Sequence, residues 1–270
     1  MKIKRKHYGI NLPPKYSIFG VKVSSTTYEE SSNIIISAAK KSIPITVTHL
    51  PVHGLVLASK DPELKVKINS FDIVAPDGQP VRWALKKLYK KELPDRVYGP
   101  ELMMRLCKKA AQVGVSIYLY GSHKQVVGRL KDTLLINFPT LQIVGFESPP
   151  FRPLNHEEDL ETIARINSSG AGLIFLSLGC PKQDIFAYEH RNSIKGIQIC
   201  VGAAFDFLSG NKKMAPSWMQ KMSLEWLFRL IQEPQRLWKR YLVTNTIFIA
   251  MMFYKLVKKI RYQSWTDLII

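Results

Sequence analysis

Cysteine is scarce: Cys107, Cys180 and Cys200 are an odd number with no paired spacing. That excludes a disulfide scaffold and a four-cysteine zinc site, and fits a reducing compartment. The chain has no Gly-x-x-x-x-Gly-Lys-Ser/Thr and no Gly-x-Gly-x-x-Gly, so P-loop NTPase and standard dinucleotide readings lose support. It lacks Gly-x-Ser-x-Gly, which weakens a serine hydrolase. It also lacks an Asp-x-Asp pair to hold a divalent ion on a diphosphate, and no metal site is expected. Long hydrophobic runs are missing too. The longest, Tyr241 to Tyr254, has 14 residues and includes Thr244, Asn245 and Thr246, where a membrane span needs roughly 17–25. Lys239 and Arg240 precede it and Lys255, Lys258, Lys259 and Arg261 follow, so an interfacial helix on anionic lipid is expected rather than a span. Met1-Lys-Ile-Lys-Arg-Lys-His is basic without an apolar segment after it, and neither a signal peptide nor an N-terminal anchor is expected.

Acidic residues are in short supply, 21 Asp and Glu against 39 Lys and Arg, for a net charge of +18. The imbalance sits at the ends. Residues 1–15 carry five basic residues and no acidic one, and residues 211–262 carry a net +9, leaving only +4 for the rest. A nearly neutral body with two basic ends points to a polyanion: nucleic acid, an anionic membrane surface or a diphosphate. The sequence shows no recognition motif or basic-aromatic platform for nucleic acid, which is not expected as a partner. A homo-oligomer is compatible with the sequence.

With 46% hydrophobic residues in 270, the chain can bury a large core. Apolar runs at Ile43–Leu50, Asp72–Ala75, Val115–Gly121, Leu141–Gly145, Gly172–Leu178 and Gly196–Val201 read as strands, several apolar throughout as in parallel sheets. Helical patterns at Thr27–Lys41, Gly54–Ser70, Gln79–Lys90, Pro100–Val113, Lys124–Phe138, His156–Ser168 and Pro181–Ser193 alternate with them. This βαβα order predicts a Rossmann-like, doubly wound, mainly parallel α/β sheet. After Gly210 only helical pattern remains, broken near Glu233-Pro234, where a new helix can start. The expected organisation is a basic arm over 1–16, a catalytic domain over 17–210 and a helical, membrane-associating appendage over 211–270.

Ligands of an open parallel sheet bind outside the carboxyl ends of its strands. Small residues stand there, including Gly121 and Gly202, where a ligand can approach the backbone, and following helix starts favour phosphate. Asp77, in Pro76-Asp77-Gly78, is the one carboxylate in a tight Pro-x-Gly context at such an end. It reads either as a turn residue or helix N-cap, or as a base whose pKa is raised by burial. His49 and His53 lie at and beyond the end of a strand, and Pro51 between them forbids a helical zinc pair. A sugar contact, a proton relay and a plain core or turn histidine all remain open. Glu225, Arg229, Arg236 and Arg240 are spaced by 4, 7 and 4 residues, which puts them on one helical face unless Pro234 resets the phase. Three arginines in phase read as an anion site as readily as a salt-bridged surface.

In order along the chain stand Pro76-Asp77-Gly78, Arg96-Val97-Tyr98-Gly99, Gly179-Cys180-Pro181-Lys182-Gln183, Val201-Gly202-Ala203-Ala204-Phe205-Asp206, Glu225-Trp226-Leu227-Phe228-Arg229 and Glu233-Pro234-Gln235-Arg236 through Arg240-Tyr241. Together they closely resemble the WecG/TagA/CpsF family, glycosyltransferase family 26, over about residues 18–242. The resemblance implies a metal-independent, inverting transferase with no cofactor. It would move a sugar from a UDP-sugar to a polyprenyl-diphosphate-linked glycan, peripheral on the cytoplasmic face of the membrane, in cell-surface polysaccharide synthesis. It implies Asp77 as general base, Arg96 and Gln183 as pocket residues, and Arg229, Arg236 and Arg240 as a basic segment closing over the diphosphate. Three departures stand out. The family's Thr-x-Asn falls on His49-Leu50-Pro51, with Thr48 one position early and pointing the other way in a strand. Lys-Arg-Ala-Pro is here Lys213-Met214-Ala215-Pro216, and Glu101 replaces an Asp. The first change lies beside the expected base, which makes His49 a catalytic candidate and bears on sugar choice. The alternative is a degenerate member that binds a polyanion or lipid-linked glycan without catalysis.

Overall fold

The computed structural model describes residues 9–266; residues 1–8 of the basic arm, residues 267–270, and the side chains of Lys221 and of residues 259–266, lie outside the described residues. A short antiparallel hairpin, β1 (Lys15–Ile18) and β2 (Val21–Ser24), precedes the main sheet. The sheet comprises β3 (Thr46–Leu50), β4 (Ile73–Pro76), β5 (Ile117–Gly121), β6 (Ile143–Glu147), β7 (Leu173–Ser177) and β8 (Ile197–Cys200), all parallel, in the order β4-β3-β8-β7-β5-β6. All six expected strands are present, in the doubly wound arrangement. Five are buried along their whole length; the edge strand β6 alternates. Burial on both faces is why these strands are mainly apolar; Thr46, Thr48 and His49 of β3 and Gln198 of β8 are buried polar exceptions.

Successive side chains in a strand point to opposite faces, so two cores form. On one face Val47, Ile73, Leu119, Phe175 and Ile199 pack under α1 (Tyr28–Lys40), α5 (Gly99–Val113), α6 (Lys124–Asn137) and α9 (Ala204–Leu208). On the other, Leu50, Val74, Tyr120 and Leu176 pack under α2 (Val52–Lys60), α3 (Pro62–Asn69), α4 (Gln79–Tyr89), α7 (His156–Ser168), α8 (Lys182–Glu189) and the hairpin.

Two segments differ from expectation. The hairpin turns at Phe19 and Gly20, both at positive φ (54° and 84°), as a two-residue type I′ connection requires; phenylalanine is an unusual first residue there and gives little signal. Its Ser24 Oγ accepts from Val74 N–H (3.0 Å) along the edge of β4. The helix expected over Gly54–Ser70 is two helices. Asp61 caps the second, its Oδ1 accepting from the amides of Glu63 (2.9 Å) and Leu64 (3.1 Å), with Pro62 as first helical residue.

Beyond Gly210 the chain forms α10 (Ser217–Lys221), α11 (Glu225–Gln232) and α12 (Pro234–Thr266). Among the described residues no helix is long and apolar enough to cross a membrane. The apolar run of α12 is divided by helical phase. Phe248 is only 8% exposed and meets Phe19 edge-on at 5.8 Å, while Ile247, Met251 and Met252 also pack against the hairpin–α2 core. Ile249 and Phe253 face outward. The run therefore does not enter lipid as a block, because half of it seals the body. Phe248→Ala is expected to cost about 3 kcal/mol, roughly 6–12 °C of melting temperature. Phe253→Ala, at a 70% exposed position, is expected to stay within about 0.5 kcal/mol. Thermal denaturation of the two variants checks this.

Candidate active site

The chain leaves β3 and β7 toward one face, through α2 and α8, and leaves β5 and β8 toward the other, through α6 and α9. In the sheet order these strands alternate, so neighbouring exits diverge and open a crevice at the carboxyl edge. Its floor is close-packed backbone. Gly121 has φ +128°, and a Cβ there would lie 2.5 Å from the Ser177 carbonyl oxygen; at Gly99 a Cβ would lie 2.7 Å from that of Val201. Only glycine permits these approaches. Gly202 is held from both sides, donating its N–H to Gln183 Oε1 (3.1 Å) and accepting from Ser177 Oγ (2.6 Å). Gln183 is thus a buried tie between two strand-end loops.

Asp77 follows β4, and its N–H donates to the Leu50 carbonyl (3.3 Å). The N-cap of α4 is Gly78, so the Asp77 side chain is not spent on capping the helix. Its carboxyl is pushed up to about 6. Burial is the main cause; Arg96 pulls the other way, the Glu225 carboxylate adds to the rise, and Arg229 and the Gly78 amide oppose it. Arg96 is brought alongside because Val97 N–H donates to the Pro76 carbonyl (2.9 Å), extending the end of β4. The Arg96 guanidinium lies 4.4 Å from the Tyr98 ring and forms an ion pair with Glu225 of α11. The two side chains are 11% and 12% exposed. The hydroxyl oxygen of Tyr28 of α1 accepts from the Tyr98 N–H (2.9 Å), and burial raises both phenols, keeping them neutral.

The arginines do not share one continuous helix, because the expected break at Glu233-Pro234 is present. The helix breaks at Glu233 (φ −135°, ψ 59°) and restarts at Pro234, which puts Arg229 on α11 and Arg236 and Arg240 on α12. Arg229 lies 5.5 Å from the Phe207 ring and faces Asp77. Arg240 is beside His53 and Cys180, with a buried Nε that has no hydrogen-bond partner among the described residues. Burial lowers its pKa, and the positive charges of Arg229 and Arg236 add to that. Arg236 is 56% exposed and pairs with Glu233 (2.6 Å), so it stands at the rim.

His49 is 6% exposed. Its Nδ1 is 2.9 Å from the Cys200 carbonyl, which can only accept, so Nδ1 carries the hydrogen and Nε2 keeps a lone pair. That Nε2 is buried without a partner among the described residues, and burial lowers the ring to about 4, so it is neutral at pH 7. By strand alternation His49 shares its face with Val47 and Ala75, the face on which α1 and α5 pack. Thr48 points the opposite way, as expected, and donates to Asp184 Oδ1 (2.5 Å). Asp184, not picked out from sequence, is buried and also pushed up to about 6. Its position directly after Gln183 was the only local signal. His53 is lowered to about 4, mainly by burial and then by Arg240.

The sequence profile described as the glycosyl transferase WecG/TagA/CpsF family matches residues 16–262, from the hairpin into α12. The chain belongs to this family. Curated relatives agree. The N-acetylglucosaminyldiphosphoundecaprenol N-acetyl-beta-D-mannosaminyltransferase of Bacillus spizizenii strain W23 is 31% identical over 187 residues, covering 68% of this chain and 70% of the relative. The transferase of the same name from Bacillus subtilis strain 168 is 32% identical over the same length, with the same coverage. As a WecG/TagA/CpsF member the protein is a glycosyltransferase of cell-envelope polysaccharide synthesis. The matched span takes in α10, α11 and the part of α12 up to residue 262.

Proposed function

We propose that the protein transfers a sugar from a UDP-sugar to a hydroxyl of a polyprenyl-diphosphate-linked glycan by a single, inverting displacement without a metal. The observation that carries this reading is the Asp77 carboxyl, raised to about 6 at the strand-end crevice and faced by Arg96 and by Arg229 of α11. At neutral pH such a group is mostly ionised yet basic enough to accept a proton as the hydroxyl attacks. UDP leaves from the opposite side with the electron pair of the broken bond. Its diphosphate meets Arg229 and Arg240, with Arg236 at the rim, since guanidinium forks match phosphate oxygens. The amide-lined edge at Gly121 and Gly202 gives the donor close backbone approach, Gln183 holds that edge in shape, and His49 offers Nε2 as an acceptor to a sugar hydroxyl or amide. The names of the two Bacillus relatives support an N-acetylhexosamine donor and an N-acetylglucosaminyl-diphosphoundecaprenol acceptor.

Such an acceptor does not leave the bilayer, and the enzyme works peripherally on its cytoplasmic face. Trp226, Trp238, Leu242, Ile249 and Phe253 are exposed on α11 and α12 beside Lys239 and Lys255. Aromatic and basic residues together favour an anionic interface. Salt-sensitive co-sedimentation with anionic vesicles checks this half. The test of the reaction is UDP release with a panel of UDP-sugars and a polyprenyl-diphosphate acceptor analogue, in EDTA. Release that depends on both substrates and survives EDTA is expected. Saturable UDP binding with no turnover on any donor would instead favour a non-catalytic member.

A further inference from the structure

Glu225 and Arg96 are 129 residues apart, yet their pair is the charged link between α11 and the segment that follows β4. The charges facing Asp77 come from several elements. Arg96 and Tyr98 precede α5, Tyr28 is on α1, Glu225 and Arg229 are one turn apart on α11, and His49 stands on the neighbouring strand. The tyrosines and His49 are neutral near pH 7. What remains facing Asp77 is two guanidiniums and the Glu225 carboxylate. Arg96 donates to Glu225 and makes no hydrogen bond to Asp77 among the described residues. Without Glu225, Asp77 would be the sole anion between two cations, and a fork–carboxylate pair would hold it ionised and weakly basic.

We propose that Glu225 is a positioning residue for the transfer: by engaging Arg96 it keeps that cation from pairing with Asp77, so the docking of α11 over the sheet edge sets the carboxylate free to act. The inference rests on Asp77 as the base. The proton moves from the acceptor hydroxyl to Asp77 as the new glycosidic bond forms and the bond to UDP breaks. Glu225 touches neither substrate in this scheme and acts through Arg96.

The test is the pH dependence of kcat/KM for UDP release by the full chain, comparing wild type, Glu225→Gln and Glu225→Asp, with Asp77→Asn as control. Glu225→Gln is expected to move the acid limb down by about one pH unit or more and to lower the plateau roughly threefold through lost basicity. Glu225→Asp restores the charge and should bring the limb back toward wild type. An acid limb left in place by Glu225→Gln, whether the plateau falls or not, overturns the proposal and leaves Glu225 a plain tether. If Glu225→Gln is too slow to profile, the carbon-13 titration of the Asp77 carboxyl in that variant reads the same shift. If Asp77→Asn keeps wild-type turnover, it is the base assignment that fails, so the two failures are told apart.

Discussion

Asp77→Asn is expected to lower turnover about 10²–10⁴-fold while raising the melting temperature at pH 7.5. The two effects have one cause. A carboxyl held near 6 in the fold, against about 3.9 for an ordinary aspartate, binds its proton more tightly folded than unfolded. Its contribution is fully favourable below about pH 4 and is lost as pH rises through about 6. By pH 7.5 the ionised side chain costs up to about 3 kcal/mol relative to its neutral form. Asparagine has no proton to lose and keeps a similar shape, so the variant escapes that cost and should melt up to roughly 6–12 °C higher. Below pH 4 the two proteins should melt together. Asp184, raised in the same way, adds to the wild-type loss between these pH values but is common to both proteins. Melts at pH 3.5 and 7.5, read beside turnover, separate a lost base from a damaged fold. A variant that is inactive and also less stable at pH 7.5 would speak for a structural role.

Truncation after residue 210 is expected to abolish transfer, with a loss of more than about 10³-fold. It removes Arg229, Arg236 and Arg240 together with Glu225, and hydrogen bonds to a charged partner contribute about 1.5–3 kcal/mol each. It also strips Phe248 and Met251 from the hairpin–α2 core, so the truncated chain will be less stable as well. Arg240→Lys isolates the charge effect. Lysine keeps the positive charge but not the planar fork, and UDP affinity should fall about tenfold with little change in melting temperature. Calorimetric titration with UDP measures it. Unchanged affinity in Arg240→Lys would place the diphosphate elsewhere.

Much of this site could be read before the fold was seen, because its ingredients are local. Asp77 was marked by the Pro76-Asp77-Gly78 turn after an apolar run, and the parallel strands by runs rich in Ile, Val and Leu. Asp61-Pro62 carried a helix start just as plainly, a capping side chain followed by a proline that fits the first turn. The long helical pattern around it masked that signal. Other features had no local trace. The orphan Nε2 of His49 depends on the Cys200 carbonyl of a strand 151 residues away, and the Arg96–Glu225 pair on how α11 lies across the sheet. The arginine spacing pointed to a shared face only if Pro234 left the helical phase intact. A seven-residue step through Pro234 assumes one straight helix, whereas the break at Glu233 sends Arg229 toward Asp77 and leaves Arg236 outside. Helical phase misled at Phe248 for the opposite reason: an apolar run flanked by lysines reads as lipid-facing until the partner that covers half of it, Phe19 and α2, is known.

The central claim is that a buried-edge carboxylate in an arginine-lined site, rather than a metal-bound group, takes the proton in glycosyl transfer. The most direct measurement is the pH dependence of UDP release in a single turnover by the full chain, with acceptor analogue present and EDTA throughout. An acid limb near pH 6 that disappears with the activity in Asp77→Asn is the expected result. A profile flat from pH 5 to 7, or turnover only when a divalent ion is restored, would contradict it.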